Sequence, residues 1–245
     1  MTPFRFRRRR AIGTPVDLVV GKLLRPVRKA MGARLAAARR HRRTVVEYVD
    51  GLPVIVLPDV FNPVLFRSGA LLARTVREVV GSRPRTAGPP RLLDLGTGSG
   101  VVAVFAAMGG AKVEAVDLNP QAVRCTQLNA QLHHLDEAID VREGDLFAPV
   151  TENQYDLVAF NPPFYRARPE TFLEAAYRSE DLFERFAAGL RNRLAPGGQA
   201  LVVLSTEGDC ENAVRRLRTS GFLLEEVTRT RWYGELLVVL GAKRP

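Results

Sequence analysis

The residues whose types and spacing could do chemistry fall in two runs. The first is Leu92-Leu93-Asp94-Leu95-Gly96-Thr97-Gly98-Ser99-Gly100, a strand-like stretch entering a glycine-rich turn. Glycines at these positions permit a tight turn and let a ligand approach the main chain closely. The spacing is GxGxG, with Val101 where a dinucleotide-binding GxGxxG pattern needs glycine, so a dinucleotide oxidoreductase is disfavoured. Asp94 stands two residues before the first glycine. A carboxylate there repels a pyrophosphate and suits a ligand carrying an amino group or positive charge. The second run is Tyr155 to Phe160 followed by Asn161-Pro162-Pro163-Phe164. It reads as a strand ending in a proline-stiffened loop, at the edge where open α/β sheets place their ligands.

The first run resembles the opening motif of the class I S-adenosylmethionine-dependent methyltransferases, and the resemblance covers roughly Leu92 to Leu240. It implies a Rossmann-like, seven-stranded, mostly parallel sheet, with S-adenosyl-L-methionine as cofactor. Asp94, Gly96, Thr97, Gly98 and Gly100 are then cofactor-binding. Asp117 and Leu118 follow a run of strand character, and by the resemblance Asp117 receives the ribose diol, since one carboxylate can accept both hydroxyl hydrogens. Asp145 and Leu146, after a third strand, are implied at the adenine amino group and ring.

Asn161-Pro162-Pro163-Phe164 resembles the (Asn/Asp/Ser)-Pro-Pro-(Tyr/Phe) motif of HemK-related methyltransferases that act on planar nitrogen. These four residues are the implied catalytic set, with Asn161 also near the cofactor. The lone pair of an amide or base amino nitrogen is delocalised, so the nitrogen is a poor nucleophile. An asparagine side-chain oxygen and a proline carbonyl can each accept one N–H and turn that lone pair towards a methyl group. The ring of Phe164 can stack on the planar group. The segment Pro58 to Gly69 resembles the part of the same enzymes that lies over the cofactor, though Arg67-Ser68 stands where relatives commonly have Asp-Ser or Asp-Thr. Phe61 and Ser68, with Phe164, are therefore the implied substrate-side residues.

These side chains need a scaffold, and the pattern supplies one. From Arg91 onward strand and helix alternate, which argues for an α/β fold with a parallel sheet covered on both faces. Strands are expected at Arg91–Leu95, Lys112–Asp117, Ile139–Glu143, Leu157–Asn161, Ala200–Ser205, Phe222–Val227 and Glu235–Leu240. Helices are expected at Gly98–Met108, Pro120–His133, Ser179–Leu194 and Glu207–Ser220, the second with Asn119 as its cap. Ahead of them, Asp50-Gly51 between two β-rich runs predicts a hairpin, Pro53 marks an edge strand, and Gly69–Val80 is helical in period. The expected organisation is a basic arm over residues 1–43, a covering segment over 44–90 and the methyltransferase domain over 91–245. His133-His134 is expected to cap helix-end carbonyls and Cys125 to fill apolar space, and no metal site is expected. Trp232-Tyr233 belongs either to the active-site edge or to a terminal hairpin.

The 245 residues carry a net charge of +10, but the charge is unevenly spread. Residues 1–43 hold fourteen Lys/Arg and one acid, whereas the remainder holds 22 bases against 25 acids. After Pro26, Val27, Met31, Leu35 and Ala38 recur at helical spacing among arginines. Such a basic amphipathic arm fits nucleic acid, the ribosome, an anionic membrane surface or the protein's own body. A transit peptide is a weaker reading, and no secretory signal follows the arginines. Two cysteines without a CxxC pair, and no apolar run of spanning length, fit a reducing cytoplasm. The expected activity is N-methylation of a planar amino or amide nitrogen, in RNA or in a glutamine of a ribosome-associated protein. A small-molecule methyltransferase held at a membrane and a non-catalytic cofactor- or RNA-binding module are the alternatives.

Overall fold

The computed structural model describes residues 43–83, 88–150, 154–164, 168, 170–176, 179–232 and 234–245. The basic arm therefore lies outside the described residues except for Arg43. The chain begins with a hairpin of β1 (Val45–Val49) and β2 (Leu52–Val56), then α1 (Pro63–Phe66) and α2 (Ser68–Ser82). The alternating part follows as β3 (Arg91–Leu95), α3 (Val101–Met108), β4 (Lys112–Asp117), α4 (Pro120–Leu132), β5 (Ile139–Glu143) and β6 (Tyr155–Phe160). It closes with α5 (Phe172–Ala175), α6 (Leu182–Leu190), β7 (Leu194–Ser205), α7 (Cys210–Thr219), β8 (Leu223–Trp232) and β9 (Glu235–Lys243).

The main sheet has seven strands in the order β5-β4-β3-β6-β7-β9-β8. The first five run parallel, and β9 inserts antiparallel between β7 and β8. Chain order reverses between β3 and β6, so the carboxyl ends of these two strands part and open a crevice. Both faces of the sheet are covered, which is why its central strands are near-continuous apolar runs. Leu92 and Leu157 point to the core shared with α2, α3 and α4, and their neighbours Leu93 and Val158 point to the core shared with α6 and α7. All four are completely buried.

The expected class and strands are present, with differences at the ends that have local causes. The helix expected from Gly98 begins at Val101, because Gly98 (φ 59°) and Gly100 (φ 77°) are left-handed. Strand β7 starts at Leu194, well before Ala200, and takes the last residue expected in the preceding helix, which itself stops at Leu190. Strand β8 runs on to Trp232 through a bulge between Glu226 and Thr228. Trp232 pairs through its backbone with Glu235, which places Trp232 at the turn end of this hairpin, and Tyr233 lies outside the described residues. Helix α1, ahead of the helical period that starts at Gly69, forms because Asn62 caps it: its Oδ1 accepts from Val64 N at 3.0 Å and Leu65 N at 3.1 Å.

The hairpin turns on Asp50 (φ 51°) and Gly51 (φ 81°), the left-handed pair of a two-residue type I′ turn. Its open edge is closed by one side of α4. Asn129, wholly buried, accepts from Ile55 N at 2.8 Å and donates to Ile55 O at 2.7 Å, as a neighbouring strand would. The same amide donates to Ser99 O at 2.8 Å, so the hairpin, α4 and the glycine turn share one side chain. One turn on, the His133 ring lies 2.8 Å from Pro53 O. The backbone N–H groups of His133 and His134 cap the helix as expected, donating to Asn129 O at 3.3 Å and Gln131 O at 3.0 Å, while the His133 ring serves the carbonyl that the docked β2 edge presents. Asn129→Ala leaves these backbone groups buried and unpaired, and is expected to cost about 2–4 kcal/mol in urea unfolding. A loss below about 0.5 kcal/mol would assign the docking to apolar packing.

Candidate active site

The crevice between the ends of β3 and β6 deepens into a cavity of about 330 Å³. Among the segments that meet there are the glycine turn, Asp117–Leu118, Asp145–Leu146, Asn161 to Phe164, and the Phe61–Gly69 stretch ahead of the sheet. That volume is at the lower end for a small-molecule pocket.

The glycine turn is built by backbone conformation. Gly96, Gly98 and Gly100 all have positive φ, and Thr97 N–H donates to Val116 O of the neighbouring strand at 3.0 Å. Gly98 and Gly96 line the cavity, but Gly100 does not. A side chain at Gly100 would meet Thr126 of α4 at 2.8 Å, so this glycine allows helix and turn to touch and does not face a ligand. That corrects its expected place among the cofactor contacts.

Asp94 is buried beneath the turn, and Thr97 Oγ1 donates to its Oδ2 at 2.7 Å. Burial pushes its carboxyl up to about 7, against the opposing effect of the Thr97 hydrogen bond, and the nearby Asp117 adds to the rise. Asp117 ends β4 and joins two elements: its Oδ2 accepts Gly98 N–H at 2.8 Å and its Oδ1 accepts Asn119 N–H at 2.9 Å. Burial raises this carboxyl also, and the backbone donors hold it back. Asn119 caps α4 through Gln121 N at 2.9 Å, and its Nδ2 donates to Asp59 O at 2.9 Å. The preceding segment is thereby fastened to the end of β4.

That segment brings aromatic rings to the cavity. Phe61 and Phe66 stack with centroids 4.7 Å apart, and Phe61 Cβ would lie 3.9 Å from a Cβ built on Gly98. Ser68, expected on the substrate side, is fully buried and does not line the cavity. Arg67 is left-handed (φ 55°), and at this junction Gly69 faces the cavity in place of Ser68.

At the opposite wall the chain leaves β6 through Asn161, Pro162, Pro163 and Phe164, all lining the cavity. The Asn161 Oδ1 atom is covered from solvent and has no hydrogen-bond partner among the described residues. A buried acceptor left open is costly, and at a cavity wall it marks where a donor is to be received. The loop is pinned at its far end: Asp209 N–H donates to Phe164 O at 3.2 Å, and a side chain on Gly208 would meet that oxygen at 2.6 Å.

The match to known proteins rests on this same region. Residues 68–233, more than half of the chain, match the family model of the methyltransferase small domain. The chain belongs to that family. It is 27% identical over 205 residues to a protein named as an N5-glutamine methyltransferase of Methanocaldococcus jannaschii, covering 80% of this chain and 98% of that one. It is 32% identical over 181 residues to the ribosomal protein uL3 glutamine methyltransferase of Burkholderia pseudomallei, covering 65% of this chain but 55% of the relative. In fold it is similar to the T. thermophilus 16S rRNA N2 G1207 methyltransferase solved with AdoMet and guanosine, with a TM-score of 0.60 and 22% identity. That match covers 83% of this chain and 50% of the other.

Sequence reasoning alone did not single out Phe66, Arg185, Glu207 or Glu235, which also line the cavity of this methyltransferase. Phe66 lies in the Pro58–Gly69 segment but is not picked out within it, and the other three lie in no motif. Arg185 and Glu207 come after the last motif, and only the packing of α6 and the end of β7 brings them in. Among the described residues no cluster of His, Cys, Asp or Glu could hold a metal ion, and no helix is long and apolar enough to cross a membrane.

A carboxyl raised by burial stabilises the fold while it is protonated, and that stability is lost as pH climbs through about 7. Asp94→Asn is therefore expected to lose less stability than the parent between pH 5 and pH 8. The difference should be on the order of 2 kcal/mol in denaturant unfolding. Parallel pH profiles for the two proteins would contradict a buried, titrating Asp94.

Proposed function

We propose that this chain methylates the side-chain amide nitrogen of a glutamine in a protein of the translation apparatus. The observation that carries the reading is the open, covered Oδ1 of Asn161 at the cavity wall. The cavity's residue set fits an S-adenosylmethionine guest: a glycine turn that admits a ligand to the main chain, carboxylates for donor groups, and apolar walls for a ring. Asp94 and the backbone of Gly96, Thr97 and Gly98 hold its amino-acid end, Asp117 receives the ribose diol beside Leu118, and Asp145 and Leu146 take the adenine. When bound, this cofactor supplies an electrophilic methyl on a cationic sulfur.

The protein's own contribution is positioning. Asn161 Oδ1 and the Pro162 carbonyl each accept one N–H of the incoming amide, which fixes the nitrogen's plane and sharpens its lone pair. Phe164 stacks on the amide, and Phe61 covers the site from the other side. Pro162 and Pro163 limit loop motion where reacting atoms must come within about 3–3.5 Å. Developing positive charge on nitrogen is shared with the two oxygen acceptors, so no strong general base is required.

Protein glutamine is favoured over other planar nitrogens by the names of the two relatives, one an N5-glutamine and the other a uL3 glutamine methyltransferase. The fourteen Lys/Arg of residues 1–43 would deliver the catalytic unit to a ribosome-associated substrate, in the cytoplasm. Residues 44–90 would act as the cover of the site and 91–245 as the methyltransferase domain. The same basic composition keeps one second reading, a base amino group in RNA, because arginines bind phosphates.

Asn161→Ala is expected to lower methyl transfer by about 100-fold or more while cofactor binding by calorimetry stays within a few-fold. Undiminished transfer in that variant would overturn the mechanism. Labelled S-adenosylmethionine with cell extract decides the substrate: label lost to protease and kept through nuclease is expected, and the reverse gives RNA.

A further inference from the structure

Arg185 is one of the cavity residues that neither the motifs nor the expected mechanism accounts for. It lies on α6, forty residues from its principal partner, and both line the cavity. Its Nη1 donates to Asp145 Oδ2 at 2.5 Å, and its Nε reaches Asp181 Oδ1, one helical turn back, at 3.3 Å. Arg185 thus spans two carboxylates, one on its own helix and one on the loop after β5.

Stability does not explain this arrangement. The Arg185 and Asp145 side chains are 44% and 45% exposed, and an ion pair so open to water contributes about 0–1 kcal/mol. What the pair does achieve is orientation. Asp145 sits in an irregular loop between Gly144 (φ 158°) and Leu146, whose φ of 49° is unfavourable for a leucine. A carboxylate on such a loop has little else to set its direction. With Oδ2 tied to a guanidinium that is itself held by Asp181, the other oxygen keeps a fixed heading.

We infer that Arg185 is a positioning residue for the nucleobase: by holding Asp145 Oδ2 it aims Oδ1 at the exocyclic amine, and so makes the cavity select an amino-purine over an oxo-purine. The inference rests on the reading of the cavity as a S-adenosylmethionine site and adds a residue to it. An ionised carboxylate is an acceptor only, so it pairs with an N–H donor and repels a carbonyl oxygen at the same place. Selection of this kind works because an acceptor facing another acceptor is left unpaired. The strength of the selection depends on how well the carboxylate is aimed, and that is the property assigned to Arg185.

The test compares two ligands in full-length protein by calorimetry, S-adenosylhomocysteine and its 6-oxo analogue S-inosylhomocysteine. The parent should prefer the adenosyl compound by about tenfold or more. Arg185→Ala should bring the two affinities to within about threefold, chiefly by weakening the adenosyl compound. Arg185→Lys, which restores a cation without the bidentate reach, should fall between. Equal loss for both ligands in Arg185→Ala would mean a structural role, and an unchanged preference would mean that Asp145 is aimed without help; either overturns the inference. Failure of the parent to bind either compound would instead overturn the cofactor reading itself.

Discussion

The site depends first on Asp117. This carboxylate, at the end of β4, receives the Gly98 N–H of the turn that follows β3 and the Asn119 N–H that starts α4. Two adjacent parallel strands thus have their exits tied by one side chain. The three glycines of the turn have no side chains to hold it, and left-handed glycines are free to move. The hydrogen bond from Gly98 is what converts a permissive turn into a fixed one. Thr97, bonded by its backbone to Val116 and by its hydroxyl to Asp94, secures the neighbouring link.

The same tie sets up an electrostatic conflict. Asp94 and Asp117 are close enough to raise one another's charging cost, and burial raises both. A fold selected only for stability would not gather carboxylates under a glycine turn. A ligand bearing an ammonium group and a diol resolves the conflict, because it brings donors to both acids. The open Asn161 Oδ1 across the cavity is the same kind of cost, and in the proposed function it is met by a donor from the substrate amide. Stability spent at these points becomes binding energy when the guests arrive.

Two asparagines attach the segment ahead of the sheet, Asn119 to Asp59 and Asn129 to both polar groups of Ile55, and a third, Asn62, ties that segment together internally through Glu47. The Asn119-Pro120 signal is visible in the sequence because it opens a long helical pattern. Asn62-Pro63 has the same chemistry, yet it caps only four residues and there is no periodicity beside it to draw attention. Asn129 is not legible at all. On a helix that also carries Gln121, Arg124, Gln127 and Gln131, one more polar residue looks like an ordinary surface position until the docked strand is in place. The contact of the His133 ring with Pro53 O is hidden in the sequence for the same reason, since that partner is remote along the chain.

The sequence by itself determined the parts that depend on neighbours in the chain. Strand and helix alternation, the GxGxG turn after β3, the acids that end or follow strands, and the Asn-Pro-Pro-Phe loop are short-range patterns, and each restricts backbone or chemistry locally. Only tertiary structure decided which of these residues share a cavity. Gly100 proved to serve packing against Thr126, and Ser68 turned inward at the left-handed Arg67. Arg185 reached Asp145 from forty residues away. Contacts of that kind are set by how helices lie on the two faces of a twisted sheet, and that geometry is written in no single segment of the chain.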